Sequence, residues 1–307
     1  MLKAVIFDLI EISDNSSLHN ESPIPFLNQL VADLQMNKIQ VINIRASFHQ
    51  SEDRLLAYAL LLKQLQIHSS ECVTITDTSC GFISARNIGI TCIAYYNPKL
   101  PYQDLFQAAI LVEGFDEVDF CFVNRIYQYD HMEAVTILTT PNFIIRELSV
   151  DDIEDLSSIY SDPSIRMFVN DFNESLDLEK EKLLAYIRNI YHFYGYGLWG
   201  VFLKETNQLV GRCGVEYKQL DDEDVYELGY LLTKHYQGLG YAKEFVTAVI
   251  HYCFLELNLP FLIAIIDIDN IPSIHLAERV GMQRIGTCTR NSRTCYKYKV
   301  INSYVLP

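Results

Sequence analysis

The sequence predicts an α/β protein of two domains, and three observations carry that expectation. The chain has 307 residues, about twice the ~150 of an ordinary domain. Half of the residues are apolar, with 20 Tyr and 16 Phe, enough for two packed interiors and too many for a disordered or fibrous chain. Short apolar runs alternate with helical periodicity through the first half, whereas the second half runs strand, two helices and then strands joined by short polar turns. The expected division is residues 1–138, a doubly wound parallel-sheet domain, and residues 139–307, a mixed-sheet α/β domain.

In the first half, Leu2 to Phe7 reads as a strand. Phe26 to Leu34 reads as a helix with Leu27, Leu30, Val31 and Leu34 on one face. Strand Ile39 to Ile44, helix Asp53 to Leu65, strand Cys72 to Ile75, a short helix after Gly81, strand Thr91 to Tyr95 and a last run Ala109 to Val112 follow. Continuous apolar strands separated by helices indicate a parallel sheet covered on both faces. Ligands of such sheets sit beyond the carboxyl ends of the strands, where Asp8 and Asp77 fall. A helix-like segment runs from Asp119 to Tyr129, and the string TILTTPN (136–142) is the linker expected from its Thr pair and Pro141.

The second half opens with a strand, Phe143 to Leu148, and a helix whose first turn holds Asp151 and Asp152, suited to the positive end of the helix dipole. A second helix, Leu178 to Tyr194, carries Leu183, Leu184, Ile187, Ile190, Tyr191 and Tyr194 along one stripe. Strands Leu198 to Leu203, Leu209 to Tyr217 and Val225 to Leu232 are expected as antiparallel neighbours. A glycine-bearing turn, Gln237-Gly238-Leu239-Gly240-Tyr241-Ala242, then opens a helix whose apolar face is Phe245, Val246, Val249, Ile250, Cys253 and Phe254. Strand Phe261 to Ile266 precedes a helix with Asn270 as its N-cap, Pro272 in its first turn and Gly281 as its stop.

Composition excludes several function classes. With 24 Lys and Arg against 39 Asp and Glu, the net charge of −15 has the wrong sign for a protein that binds by neutralising phosphates, so nucleic acid is not an expected partner. The surplus suits a cationic substrate or serves solubility. No run approaches the ~20 apolar residues of a bilayer span, and the start runs straight into a strand, so a cytoplasmic protein without membrane association is expected. The eight Cys (72, 80, 92, 121, 213, 253, 288 and 295) include no CxxC pair and read as reduced, mostly buried thiols, with disulfide or metal roles as the alternatives.

LKAVIFDLI, followed by VTITDTSCGFISARNIGITCIAYYNP, resembles the first and last motifs of the haloacid dehalogenase-like (HAD) hydrolases, over residues 1 to about 125. The resemblance implies a Rossmannoid fold in which Asp8 matches a phosphoryl-attacking nucleophile and Asp77 a Mg²⁺ ligand. The proton-transferring aspartate is replaced by Ile10, Thr76 stands where an acid is common, VINIRAS lacks a clear Thr or Ser, and Glu52, Asp53 and Arg54 lie where a phosphate-binding Lys belongs. Loss of the acid alone costs ~10² to 10⁴ in rate. The intervals between strands are also too short for a cap domain. The expectation is therefore a capless HAD-like domain without phosphatase activity, a scaffold or dimerisation domain with no firm metal site. Mg²⁺ or another ligand held through Asp8 and Asp77 stays the open alternative.

A glycine-rich strand-to-helix turn leaves backbone N–H groups free to bind a pyrophosphate with the helix dipole in favour. Here that turn resembles motif A, QxxGxA, of the GCN5-related N-acetyltransferases (GNAT). The likeness spans about 143 to 300, through FIIREL, LWGVF, LVGRCGV, YELGYLL and DNIPSIHLAERVGMQRIG, and fits the branch of ribosomal-protein N-terminal acetyltransferases. It implies acetyl-CoA as co-substrate, its phosphates on Gln237, Gly238, Leu239, Gly240, Tyr241 and Ala242, and its pantetheine arm paired with main-chain groups of Leu231, Leu232 and Thr233. Asn270 would cap its helix, bond the cofactor, or both.

The implied reaction moves the acetyl group to a primary amine, of a small molecule or a protein N-terminus, by direct attack in a ternary complex. Such an attack needs a neutral amine, an oxyanion donor and a proton for the leaving sulfur. Glu227 is the candidate base, with amine binding or a solvent-facing position as alternatives, and a main-chain N–H near Leu231 or Leu232 would meet the oxyanion. A Tyr common in the family is replaced by Ala277, leaving Ser273 as candidate proton donor or as a structural hydroxyl, with unassisted departure of the thiolate, a good leaving group, as the alternative. His235 and His275 are expected to be surface or packing residues. HAD-type phosphatase activity and a non-catalytic CoA-binding role are the competing functions. Homodimerisation and the acceptor, whose determinants are expected in loops 171–177 and 219–224, are left open.

Overall fold

A computed structural model describes the chain except for residues 11–23, 45–50, 101–102, 106–107, 109, 170–174, 221–222 and 305–307, and the side chains of Ser51 and Glu52. VINIRAS, residue 109, the Glu52 side chain and loops 171–177 and 219–224 therefore lie partly or wholly outside the described residues. The chain forms two compact units, Met1–Glu133 and Ala134–Pro307. No helix among the described residues is long and apolar enough to cross a membrane.

The first unit is built on a five-stranded sheet of order β2-β1-β3-β4-β5, with β1 at Ala4–Asp8, β2 at Gln40–Asn43, β3 at Cys72–Thr76, β4 at Thr91–Tyr95 and β5 at Leu111–Val112. Every pairing is parallel. Side chains alternate across this sheet. Val5 and Phe7 pack with helices α1 (Leu27–Met36) and α4 (Phe120–Asp130), whereas Ala4 and Ile6 pack with α2 (Ser51–Leu65) and α3 (Ser79–Asn87). Two covered faces explain the continuous apolar strands, and the strand order reverses between β1 and β3. Helix α3 starts before Gly81, not after it: Thr78 caps it by accepting from the Gly81 amide at 3.0 Å. Gly81 is required by packing, because a Cβ there would collide with Thr76 Oγ1 and Asp8 Oδ2.

The second unit holds an eight-stranded mixed sheet of order β12-β13-β11-β10-β9-β8-β7-β6. Its strands are β6 (Thr136–Thr139), β7 (Phe143–Arg146), β8 (Leu198–Leu203), β9 (Leu209–Leu220), β10 (Glu223–Leu232), β11 (Phe261–Asp267), β12 (Gln283–Arg290) and β13 (Arg293–Ile301). TILTTPN is no linker. Thr136–Thr139 is the edge strand of this sheet, antiparallel to Phe143–Arg146, and the boundary accordingly lies at 133/134 rather than 138/139.

Helix α5 (Ile153–Ser161) is followed by the single turn α6 (Pro163–Arg166) and by α7 (Leu176–Tyr186), which passes through a π turn at Ile187–Tyr191 into α8 (His192–Tyr194). Helices α9 (Tyr241–Leu255) and α10 (Ile271–Arg279) follow β10 and β11. Neighbours on β9 show how the layers lie. Arg212 donates to Tyr160 Oη of α5, while Cys213 on the other face neighbours Cys253 of α9. The helices therefore cover opposite faces of the sheet.

Phe143 joins β7 to the start of α9. It is fully buried, and both Tyr241 and Phe245 pack edge-on against it, with ring centroids 5.3 and 5.6 Å away. Phe143→Ala is expected to cost about 3–5 kcal/mol of stability in urea unfolding, as removal of a buried aromatic ring does. A loss under about 1 kcal/mol would contradict this packing.

Candidate active site

Strands β10 and β11 run parallel but pair at a single register position, Glu227↔Ile263, and are unpaired toward their carboxyl ends. The gap opens beside the start of α9. Gly238 (φ 79°) and Gly240 (φ 82°) adopt the left-handed region, and a Cβ at either would project into open space. Gly240 is the N-cap of α9 and supplies no side-chain cap. Among the described residues, the amides of Gly238 to Lys243 meet no protein acceptor, and residues 237–240 are exposed. Gln237 pins the loop, its Nε2 donating to Leu232 O at 2.7 Å.

The helix start is held from outside the loop. Glu244 accepts from the Asn142 backbone N–H (2.9 Å) and Nδ2 (2.7 Å), tying the first turn of α9 to the β6–β7 hairpin. Burial pushes the Glu244 carboxyl up, but the Asn142 and Thr140 hydrogen bonds outweigh it and hold it below the usual value.

The three main-chain positions expected along the gap do not behave alike. The Thr233 amide donates to Val210 O (2.9 Å) and is spent on β9. Backbone groups alternate sides along a strand, so Leu231 also points at β9, and its carbonyl is so close to Gly211 that a Cβ there would strike it. Leu232 and Tyr230 instead turn their main chains toward the gap. Tyr230, which sequence reasoning missed, also crosses to α10, its Oη donating to Ser273 O at 2.9 Å.

Asn270 is the N-cap of α10, with Oδ1 accepting from the Ser273 amide at 3.3 Å. Ser273 is thus held at both its N–H and its C=O, half-buried beside the gap. His235 and His275 are exposed.

Glu227 lies on the α5–α7 side of the sheet, opposite Glu216 on β9. Both of its carboxylate oxygens are engaged by Arg290, Nη1 with Oε1 and Nη2 with Oε2 at 2.8 Å, and Lys218 Nζ stands 3.4 Å from Oε2. Burial pushes the Glu227 carboxyl up, but Arg290 and Lys218 prevail and hold it below the usual range. A general base needs a free lone pair and a pKa near the working pH, so this geometry opposes the base role expected for Glu227. Nothing near Glu227 in the sequence announces Arg290, which is 63 positions away.

At the carboxyl ends of β1 and β3 in the first unit, Asp8 and Asp77 are fully buried. Arg54 and Tyr58 Oη (2.8 Å) occupy the Asp8 carboxylate, while Asn97 Nδ2 (2.9 Å) and the Ile10 amide (3.3 Å) occupy Asp77. Burial raises the pKa of both, against the lowering pull of those partners. The described residues do not fit a magnesium ion: the carboxylate oxygens are already bonded, and the Arg54 guanidinium supplies the positive charge. Among the described residues, no group of three or more His, Cys, Asp or Glu could hold a metal.

The depressed Glu227 pKa gives a pH signature. Its stabilising contribution is present above the unfolded value near 4.3 and fades as pH falls through the lower folded value. Glu227→Gln should therefore destabilise the protein more at about pH 7 than at about pH 3 in matched urea titrations. An equal penalty at both pH values would deny the ion pair.

The second unit is similar to known proteins. Residues 142–283 match the family model "Acetyltransferase (GNAT) domain". The uncharacterized N-acetyltransferase YnaD of Bacillus subtilis (strain 168) is 30% identical over 149 residues, 48% of this chain and 84% of that protein. The uncharacterized N-acetyltransferase p20 of Bacillus licheniformis is 28% identical over 151 residues, 48% of this chain and 83% of that protein. The crystal structure of an acetyltransferase from Agrobacterium tumefaciens strain C58 is 26% identical, covers 53% of this chain and 92% of that one, and superposes with a TM-score of 0.45. Through its second unit the chain belongs to the GNAT family and is an N-acetyltransferase.

Proposed function

We propose that the second unit carries an acetyl group from acetyl-CoA to a primary amine, on a small molecule or a protein N-terminus, by direct attack in a ternary complex. The observation that carries this reading is the row of unspent amides from Gly238 to Lys243 beside the β10–β11 gap. An anion as compact as a diphosphate satisfies such amides and gains from the helix dipole. Gly238 and Gly240 leave room for it, and Gln237, Leu239, Tyr241 and Ala242 complete the loop.

Bound acetyl-CoA supplies a thioester carbon for the amine to attack. The Leu232 amide, turned toward the gap, takes the oxyanion role; Leu231 and Thr233 shape the strand without facing it. Asn270 fixes the start of α10, and Ser273 Oγ takes the role of proton donor to the departing sulfur. Glu227 becomes a positioning residue that anchors Arg290 at the mouth of the gap.

For the first unit we propose a capless HAD-like domain without phosphatase activity. The support is the strand order with its switch point at Asp8 and Asp77, and the capture of both carboxylates by neighbouring side chains and backbone.

Thiol release from acetyl-CoA, followed with a panel of amines, tests the main reading: at least one amine should accelerate release. CoA binding without acceleration by any amine would leave a non-catalytic CoA protein. Ser273→Ala should lower kcat by about 10²-fold with little change in KM for acetyl-CoA, and an unchanged kcat removes Ser273 as donor. Hydrolysis of p-nitrophenyl phosphate should show no Mg²⁺-dependent rate, whereas a rate abolished by Asp8→Asn would restore the phosphatase.

A further inference from the structure

The β12–β13 hairpin carries a chemistry that acetyl transfer does not use. Cys288 and Cys295 are register partners in this antiparallel pair. The connecting residues, Asn291 (φ 50°) and Ser292 (φ 62°), are both left-handed, which defines a two-residue hairpin turn of the type I′ class. Arg290 and Arg293 close that turn as a hydrogen-bonded pair. Pair types alternate along an antiparallel ladder, so Thr289–Thr294 is of the other type and Cys288–Cys295 is hydrogen-bonded again. Such partners stand ~5.5 Å apart at Cα, inside the ~4.4–6.8 Å a disulfide spans, and ~5.5 Å apart at Cβ, so the strands must draw about 1 Å closer there for the bond to close.

The surroundings separate these thiols from the other six. Cys288 and Cys295 share a sheet face with Arg290, whose charge acts on both sulfurs. Burial raises the Cys295 thiol, with Cys288 adding to the rise and Arg290 opposing it. Cys288 is partly exposed and gives a reagent a point of entry. Cys213 and Cys253 also neighbour each other, but both are fully buried, and burial pushes Cys253 to about 12 and Cys213 well above its ordinary value. No small oxidant reaches that pair.

We propose that Cys288 and Cys295 form a reversible cross-strand disulfide by exchange with a low-molecular-weight disulfide such as oxidised glutathione. The Cys288 thiolate attacks one sulfur of the small disulfide and expels the first glutathione thiolate, leaving a mixed disulfide. Cys295, having lost its proton to solvent, attacks Cys288 Sγ and expels the second. Two protein thiols and one small disulfide become one protein disulfide and two small thiols, so the protein is oxidised by two electrons and the glutathione reduced. The bond closes two residues from Arg290 and stiffens the hairpin end that clamps Glu227. The inference rests on strand register and stands apart from the acetyl-transfer reading.

Full-length protein incubated with oxidised glutathione, alkylated and cut with trypsin tests it. Cleavage at Arg284, Arg290, Arg293 and Lys297 separates the two cysteines onto peptides Ile285–Arg290 and Thr294–Lys297. The expected product is one linked species containing both peptides, split by dithiothreitol and absent from Cys288→Ser. Cys295→Ser should instead retain a glutathione adduct on Cys288. Two separately alkylated peptides from the oxidised wild type, or a stable adduct on Cys288 there, would overturn the proposal.

Discussion

A helix that begins with its amides unspent is the constraint on which the second unit depends. Helix starts are ordinarily satisfied by a Ser, Thr, Asp or Asn side chain, as Thr78 does for α3, Asp119 for α4 and Asn270 for α10. Helix α9 has Gly240 at that position and forgoes the cap. The fold holds this start by other means. Phe143 lies under Tyr241 and Phe245, Glu244 grips the Asn142 turn, and Gln237 ties the loop to the end of β10. Each contact uses side chains or distant backbone, so none consumes an amide that a ligand would need. The hairpin at the sheet edge is therefore part of the site's support.

The first unit solves an opposite problem. Asp8 and Asp77 sit at the switch point of a parallel sheet, where burial penalises their charge. Arg54 and Tyr58 from α2 answer Asp8, and Asn97 answers Asp77, so the position at which doubly wound sheets bind ligands is filled by the protein's own side chains. Gly81 makes that possible, since any side chain there would fall on Asp8 and Thr76. An arginine that neutralises a buried carboxylate does the work of a cation without leaving its coordination positions open.

Much of this architecture was legible in the amino-acid pattern, because both sheets are covered on their inner strands and continuous apolar runs mark them. Thr91–Tyr95 and Leu198–Leu203 keep their expected limits. Legibility failed where burial did. Gln283–Arg290 is mostly exposed and has no apolar alternation, so β12 gave no signal. Thr136–Thr139 is an edge strand paired on one side, and its threonines beside Pro141 imitate a linker. At the site, the glycine loop and the Asn270 cap were readable because they are local. The Arg290 clamp on Glu227, the Tyr230 bridge to Ser273 and the Arg54 capture of Asp8 were not, because each partner lies more than 40 positions away and only the tertiary fold brings it in.

Backbone amide chemical shifts of the isotope-labelled protein, recorded while CoA is added, report whether the α9 start is where the diphosphate lands. The largest changes should fall on Gly238 to Lys243, with Leu232 also moving. Saturating CoA that leaves those amides in place while shifting others would contradict it.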